Sequence, residues 1–358
     1  MRWQGQRLDT AGTTDQQALP GLTGWVRTVR TPEFDDVVFH EVLAKSVLNR
    51  VAAGSRMPFA WSVNPYRGCS HGCVYCFARN SHTYLDFDPG RDFDTQVVVK
   101  VNAAEVLAKQ LRARSWRREH VAMGTNTDPY QRAEGRYALM PGIIRALAGS
   151  GTPFSILTKG TVLARDIPLL AEVGRDVPVG IGVSLALLDR ELQHSLEPGT
   201  PGPRARLDLV RKLTEAGLSC GVFAAPVLPG LTDAREQLDE LLAEIAAAGA
   251  TGVTVVPLHL RPGTREWFAS WLSREHPRLV PRYREIYRRG SNADRGYRRT
   301  LAERIGPLVR KHGLDRHAEA DTRTGPEREP GENDWPRGSL PTGAPEPARL
   351  EPEQLPLL

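Results

Sequence analysis

Cysteine is scarce in this sequence: four residues in 358, three of them crowded between positions 69 and 76. An odd number packed so closely excludes a disulfide framework, which needs pairs spread along the chain. No apolar run approaches the roughly 18 residues that a membrane-spanning helix requires. The opening Met1-Arg2-Trp3-Gln4-Gly5-Gln6-Arg7 is not followed by an apolar stretch, so no secretory signal is read there. Apolar residues still make up 40% of the chain, enough to bury a sizeable core. These absences point to a cytoplasmic protein with no membrane partner, in a reducing compartment where thiolates stay free to bind metal.

What is present is concentrated in one stretch, Asn64-Pro65-Tyr66-Arg67-Gly68-Cys69-Ser70-His71-Gly72-Cys73-Val74-Tyr75-Cys76-Phe77-Ala78-Arg79. Three thiolates on one flexible loop can converge on a single metal centre. Gly68 and Gly72 let the backbone fold around it without Cβ clashes. Two centres fit the spacing. One is an iron–sulfur cluster held by Cys69, Cys73 and Cys76, with one iron left open to an outside ligand. The other is a structural zinc that takes His71 as its fourth ligand.

From about residue 60 the pattern becomes rhythmic. Short β-branched runs at 60–66, 120–123, 153–157, 177–183, 219–225 and 252–257 alternate with longer helical patterns. Thr232 or Asp233 is the expected cap of the fifth helix, which shows Leu238, Leu241, Leu242 and Ile245 on one face. Six βα units in series predict an α/β fold, a partial (β/α)6 TIM-like barrel followed by C-terminal helices. The expected organisation is a polar, partly disordered segment over 1–38, the barrel over 39–260, a basic helical extension over 261–317 and a disordered Pro- and Glu-rich tail over 318–358.

Chemistry in such barrels sits at the C-terminal ends of the strands. The three cysteines, 125–131, Lys159, Ser184, Glu197 and His259 all fall at or just past a strand end, which predicts one site on one rim. A zinc knuckle has no reason to sit there. Cys220 lies in an apolar strand and reads as a small buried hydrophobe, and His259 reads as a satisfied histidine.

Charge is uneven. Residues 261–317 carry 15 Lys/Arg against 6 Asp/Glu, and residues 318–358 carry 4 against 9. The basic body suits a polyanion such as nucleic acid. Tyr283, Tyr287 and Tyr297 among these arginines offer rings for base stacking; solvated helices are the plainer reading.

Over about residues 40–315 the chain resembles the spore photoproduct lyase-like branch of the radical S-adenosylmethionine (SAM) superfamily. The resemblance rests on the cysteine stretch, Thr125-Asn126-Thr127-Asp128-Pro129-Tyr130-Gln131, Leu157-Thr158-Lys159-Gly160, Val183-Ser184, Leu196-Glu197-Pro198-Gly199-Thr200 with Arg206-Leu207, and Ala225-Pro226-Val227-Leu228-Pro229-Gly230. It implies a barrel of the radical SAM type and a [4Fe-4S] cluster on Cys69, Cys73 and Cys76 with SAM on the open iron. Tyr75 is then expected against the SAM adenine, and Thr127, Lys159 and Ser184 against its polar groups. Reductive cleavage of SAM, fed by an outside electron donor, yields a 5′-deoxyadenosyl radical for hydrogen abstraction from an unidentified substrate, with DNA a candidate. One departure stands out: the lyases carry a hydrogen-donating cysteine where this chain has Thr125. A threonine O–H bond is too strong for that task, which separates this chain from thymine-dimer repair. Tyr130 and Cys220 are the remaining candidates for a radical relay. The alternative class is a non-catalytic iron–sulfur protein that binds nucleic acid.

Overall fold

The structure, a computed structural model, describes residues 24–34, 36–52, 57–316 and 335–341. Eleven strands form two sheets: β1 (Trp25–Arg30), β2 (Val38–Val42), β3 (Leu48–Arg50), β4 (Trp61–Val63), β5 (Tyr66–Arg67), β6 (Gln96–Lys100), β7 (Val121–Met123), β8 (Phe154–Thr158), β9 (Val179–Ser184), β10 (Gly221–Val227) and β11 (Gly252–Pro257). The larger sheet has the order β11-β10-β9-β8-β7-β4-β3. Its strands from β4 to β11 pair in parallel, and β3 closes one edge antiparallel to β4.

Each new parallel strand adds to the same edge as its predecessor. With right-handed crossovers, winding in one direction keeps the helices on one face and curls the sheet into an open barrel. Six parallel strands match the six expected units, and their positions lie within a few residues of the sequence reading. Alternate positions divide the strands between two faces. Ile181, Val183, Val222, Ala224 and Val253 join Leu207, Val210, Leu241 and Ile245 from the helices in the main core. The other face carries Gly180, Gly182, Gly221 and Phe223.

The smaller sheet, β1-β2-β6-β5, takes the β-branched run at 96–101 as β6 and adds three strands that the sequence pattern does not mark. It takes residues 25–30 out of the expected disordered lead-in: β1 pairs antiparallel with β2. Residues 1–23 lie outside the described residues. The first barrel strand is also shorter than expected. Pro65 offers no N–H to the ladder, and the chain leaves the large sheet so that Tyr66 and Arg67 pair with β6 instead.

The basic extension divides. Helices Thr264–Glu275 and Val280–Ile286 form a second core with Tyr75, Leu196 and Leu258. Helix Arg295–Lys311 buries Leu301, Ile305 and Leu308 in the main core and so covers β11. Its N-terminus is capped by Asp294, which accepts from Gly296 N at 2.8 Å and Tyr297 N at 3.1 Å. The expected cap on helix Arg235–Ala247 is corrected: Ala234 occupies that position without a side-chain bond. Thr232 and Asp233 instead tie the preceding turn, accepting from Leu228 N and Gly230 N at 2.8 Å each.

Part of the expected disordered tail has a defined place. Residues 335–341 lie across the N-terminal ends of β9, β10 and β11. Ile181 N donates to Gly338 O at 2.7 Å, Thr251 Oγ1 to Arg337 O at 2.5 Å, and the Trp335 ring packs edge-on to Phe223 and Phe59. The rest of the tail is outside the described residues. Among the described residues no helix is long and apolar enough to cross a membrane.

Candidate active site

The cysteine loop leaves β5 and turns at two glycines with positive φ, Gly68 at 79° and Gly72 at 62°. A Cβ on Gly68 would stand 2.9 Å from the Gln96 carbonyl, so only glycine fits this close approach. The loop is held from several sides. Cys69 N donates to Phe93 O at 2.9 Å, Val74 N to Leu196 O at 3.0 Å, and Thr264 Oγ1 to Cys76 O at 2.7 Å. Gln131 receives Ser70 N at 2.9 Å and donates to Gly68 O at 3.1 Å.

Cys69, Cys73 and Cys76 are free thiols; the first two are buried and the third is half-buried. Burial pushes Cys73 well up, with Glu197 and the two other cysteines adding to it against Lys159. Burial pushes Cys76 up to about 11; the Arg79 charge pulls it back and Cys69 raises it further. Two buried thiols that resist ionising, crowded beside a third, are a poor arrangement for a bare protein. It becomes a favourable one when a cationic metal centre takes the thiolates. His71 is turned toward Asp128, with Nδ1 3.3 Å from the carboxylate.

The rim facing the loop is charged. Lys159, just past β8, donates to Ser184 Oγ at 2.7 Å and stands 3.3 Å from Glu197 Oε1. Its ammonium also lies 5.6 Å from the centre of the Tyr75 ring. Burial pulls Lys159 down to about 8, partly offset by Cys73 and Asp128. Glu197 is wholly buried and ties the rim together. It receives the Tyr75 hydroxyl and the Arg206 guanidinium, and Thr200 Oγ1 at 3.2 Å. Asp128 receives Lys159 N at 2.7 Å and Thr158 Oγ1 at 2.5 Å. Burial alone would raise Asp128, but His71 and these donors hold it below the usual carboxylate range.

A family description of the radical SAM superfamily matches residues 63–245, which take in both the cysteine loop and the charged rim. The chain belongs to the radical SAM superfamily. An uncharacterized protein of Mycobacterium tuberculosis is 62% identical over 317 residues, covering 88% of this chain and 93% of the relative. An uncharacterized protein of Acidianus two-tailed virus is 29% identical over 226 residues, covering 61% of this chain and 74% of its own length. Among solved structures, spore photoproduct lyase complexed with dinucleoside spore photoproduct has a TM-score of 0.56 at 14% identity. That match covers 76% of this chain and 79% of the lyase. A mutant of the lyase with bound AdoMet and the same dinucleoside has a TM-score of 0.54 at 16% identity, with 72% and 75% covered. The likeness to the lyase is one of fold.

Of the residues that the sequence singled out, the structure gathers Tyr75, Lys159 and Ser184 on one rim beside the three cysteines. Thr127 is near but occupied: its hydroxyl donates to Gly68 O at 2.6 Å and accepts from Gln131 at 2.9 Å. Thr125 keeps a buried Oγ1 with no protein partner.

The two relay candidates are not brought to the rim. Tyr130 is fully buried in the main core and donates to Asp166 at 3.0 Å, inside a network of Arg165, Glu134 and Tyr66. Cys220 precedes β10, at the opposite end of the barrel, and burial pushes its thiol up to about 12. The stacking role read for three tyrosines is also corrected. Tyr283 and Tyr287 are buried, with Tyr287 donating to Leu258 O at 2.7 Å, and Tyr297 donates to Asp233 at 3.2 Å. His259 is half-buried and faces Asn292 through the backbone. Arg79, Gln131 and Arg206 lie in stretches that the sequence singles out, but their roles show only in the fold, which brings each side chain to its partners.

Proposed function

We propose that Cys69, Cys73 and Cys76 hold a [4Fe-4S] cluster and that the Tyr75–Lys159–Ser184 rim receives SAM. The observation that carries this reading is three thiols on one loop facing the Lys159 ammonium, which bonds Ser184 and lies over the Tyr75 ring. The thiols call for a metal centre. Lys159, with Ser184 beside it, suits the carboxylate of an amino acid. Glu197 keeps Lys159 and Tyr75 in place, and Arg206 balances the second oxygen of that carboxylate. The Tyr75 ring offers an apolar face to the adenine. Bound there, the cluster and SAM would supply a 5′-deoxyadenosyl radical able to take hydrogen from a C–H bond.

The substrate class is read from charge. Arg278, Arg282, Arg284, Arg288, Arg289 and Arg299 are exposed on the C-terminal helices and the turns between them, which suits a polyanion, DNA among them. The electron comes from an external one-electron donor. A non-catalytic nucleic-acid-binding protein loses its aromatic support, because the tyrosines that would stack are buried.

The test is anaerobic reconstitution with iron and sulfide, reduction, and incubation with SAM. The expected result is a brown protein that forms 5′-deoxyadenosine. A loaded, reduced protein that leaves SAM intact overturns the radical reading. A colourless protein that carries zinc overturns the cluster.

A further inference from the structure

Arg79 is among the largest fully buried side chains of the molecule, three residues beyond Cys76. Its Nε and Nη2 donate to the Cys73 carbonyl at 3.2 and 2.8 Å. Nη1 donates to Gly90 O at 2.7 Å, and Nη2 reaches Asp94 Oδ2 at 2.9 Å. The Phe93 ring centre lies 5.3 Å from its guanidinium carbon and the Trp267 ring centre 5.0 Å. A guanidinium keeps its charge at any working pH, so burial cannot neutralise it. Asp94 is the carboxylate it meets, and the other oxygen of Asp94 is buried with no protein partner. A permanent cation with one incompletely satisfied counter-charge therefore sits against the backbone of Cys73, where its charge also acts on the Cys76 thiol.

We propose that Arg79 is a positioning residue that sets the reduction potential of the metal centre. This inference rests on the cluster reading above. The reaction concerned is the gain of one electron by the [4Fe-4S]2+ centre from an external one-electron reductant, giving the 1+ state; no atom or proton moves. The added negative charge is stabilised by a fixed cation in a medium of low dielectric, so Arg79 favours the reduced form. Asp94 opposes it. The pair acts as a two-sided control: removing the cation makes the centre harder to reduce, and removing the anion makes it easier. Hydrogen bonding to the Cys73 carbonyl fixes the distance over which both act.

The test uses the full chain, reconstituted anaerobically, with iron and sulfide assayed and the couple followed by EPR during a dithionite titration. Arg79→Gln is expected to lower the ratio of reduced to oxidised centre about tenfold at a given potential, which is about 59 mV for one electron. Asp94→Asn is expected to shift it in the opposite direction, and Arg79→Lys to stay close to the unmodified protein. A merely structural Arg79 would lose iron in all its variants and leave Asp94→Asn unshifted. If Arg79→Gln takes up no cluster, Asp94→Asn decides alone: an upward shift supports the proposal, and no shift or a downward one overturns it. An unmodified chain that takes up neither iron nor sulfide overturns the cluster reading and this inference with it. Loaded variants with unshifted potentials overturn this inference alone.

Discussion

The Lys159 ammonium stands 2.7 Å from the Ser184 hydroxyl although 25 residues separate them in sequence. The parallel strands β8 and β9 are neighbours and end on the same rim, which makes the contact a product of the barrel rather than of local sequence. Lys159→Met keeps most of the stem and removes the charge. SAM affinity of the cluster-loaded protein is expected to fall about 10- to 100-fold, the loss of a charge-assisted bond of about 1.5–3 kcal/mol. Ser184→Ala should cost about fivefold. Equilibrium dialysis measures both, and an unchanged affinity in Lys159→Met would remove Lys159 from the site.

The cysteines divide into two kinds. Cys69→Ala, Cys73→Ala and Cys76→Ala are each expected to lose most bound iron on reconstitution. Cys220→Ala should keep the full iron load, because its thiol lies at the other end of the barrel. Its cost is a small cavity, about 1 kcal/mol. Tyr130→Phe is expected to leave SAM cleavage intact and to lower stability by about 1 kcal/mol through the lost bond to Asp166. Iron loss in Cys220→Ala, or abolished cleavage in Tyr130→Phe, would contradict this division.

Much of the barrel was legible, for a physical reason. Parallel strands buried on both faces read as short, near-continuous β-branched runs, and their C-terminal ends converge on one rim. Lys159, Ser184 and the cysteine loop could therefore be placed together before any contact was known. Tyr130 lies in the same stretch as Thr127, yet its ring points into the core beneath the helices, a rotation that residue types do not encode. Tyr283 and Tyr287 sit among arginines in sequence, but helical spacing puts them on the buried side. Arg79 and Arg206 look like any surface arginine until their partners, Cys73 O and Glu197, are brought to them by the fold. β1 lies in a polar stretch and becomes a strand by pairing with β2, and β5 is two residues long and becomes one only by pairing with the distant β6.

His120 gives a pH prediction. It is buried, with Nε2 2.8 Å from Ser155 Oγ and its ring edge-on to Phe59. Burial lowers its pKa from 6.5 to about 4. The neutral form is the one the fold accepts. Well above pH 6.5 neither folded nor unfolded His120 carries a proton. As the pH falls below 6.5 the unfolded chain gains a proton that the folded chain refuses, so stability drops until the pH reaches about 4. The contribution is about 3 kcal/mol across that window. His120→Gln, which can still bond Ser155, is expected to show a shallower loss of stability there in denaturant titrations. Equal slopes would mean that His120 is solvated in the fold.

The tail segment 335–341 gives the last prediction. Gly180, Gly221 and Gly252 stand at or near the starts of three adjacent strands, and each makes room for this part of the chain. A Cβ on Gly180 would lie 2.5 Å from the Leu340 carbonyl carbon, and one on Gly252 would lie 2.9 Å from Arg337 N. Backbone atoms cannot step aside as the end of a side chain can, so Gly180→Ala must displace the segment. Trp335→Ala removes its aromatic anchor on Phe223 and Phe59. Either change is expected to speed proteolytic cleavage near residue 335 several-fold while leaving the iron load unchanged, since the cysteine loop sits at the opposite end of the strands. Trp335→Ala should also lower stability by about 2 kcal/mol, the upper part of the usual range for a single substitution. Cleavage at the unmodified rate in both variants would show that the segment does not rely on these contacts. Concurrent loss of iron would show that the floor of the barrel and its rim are coupled.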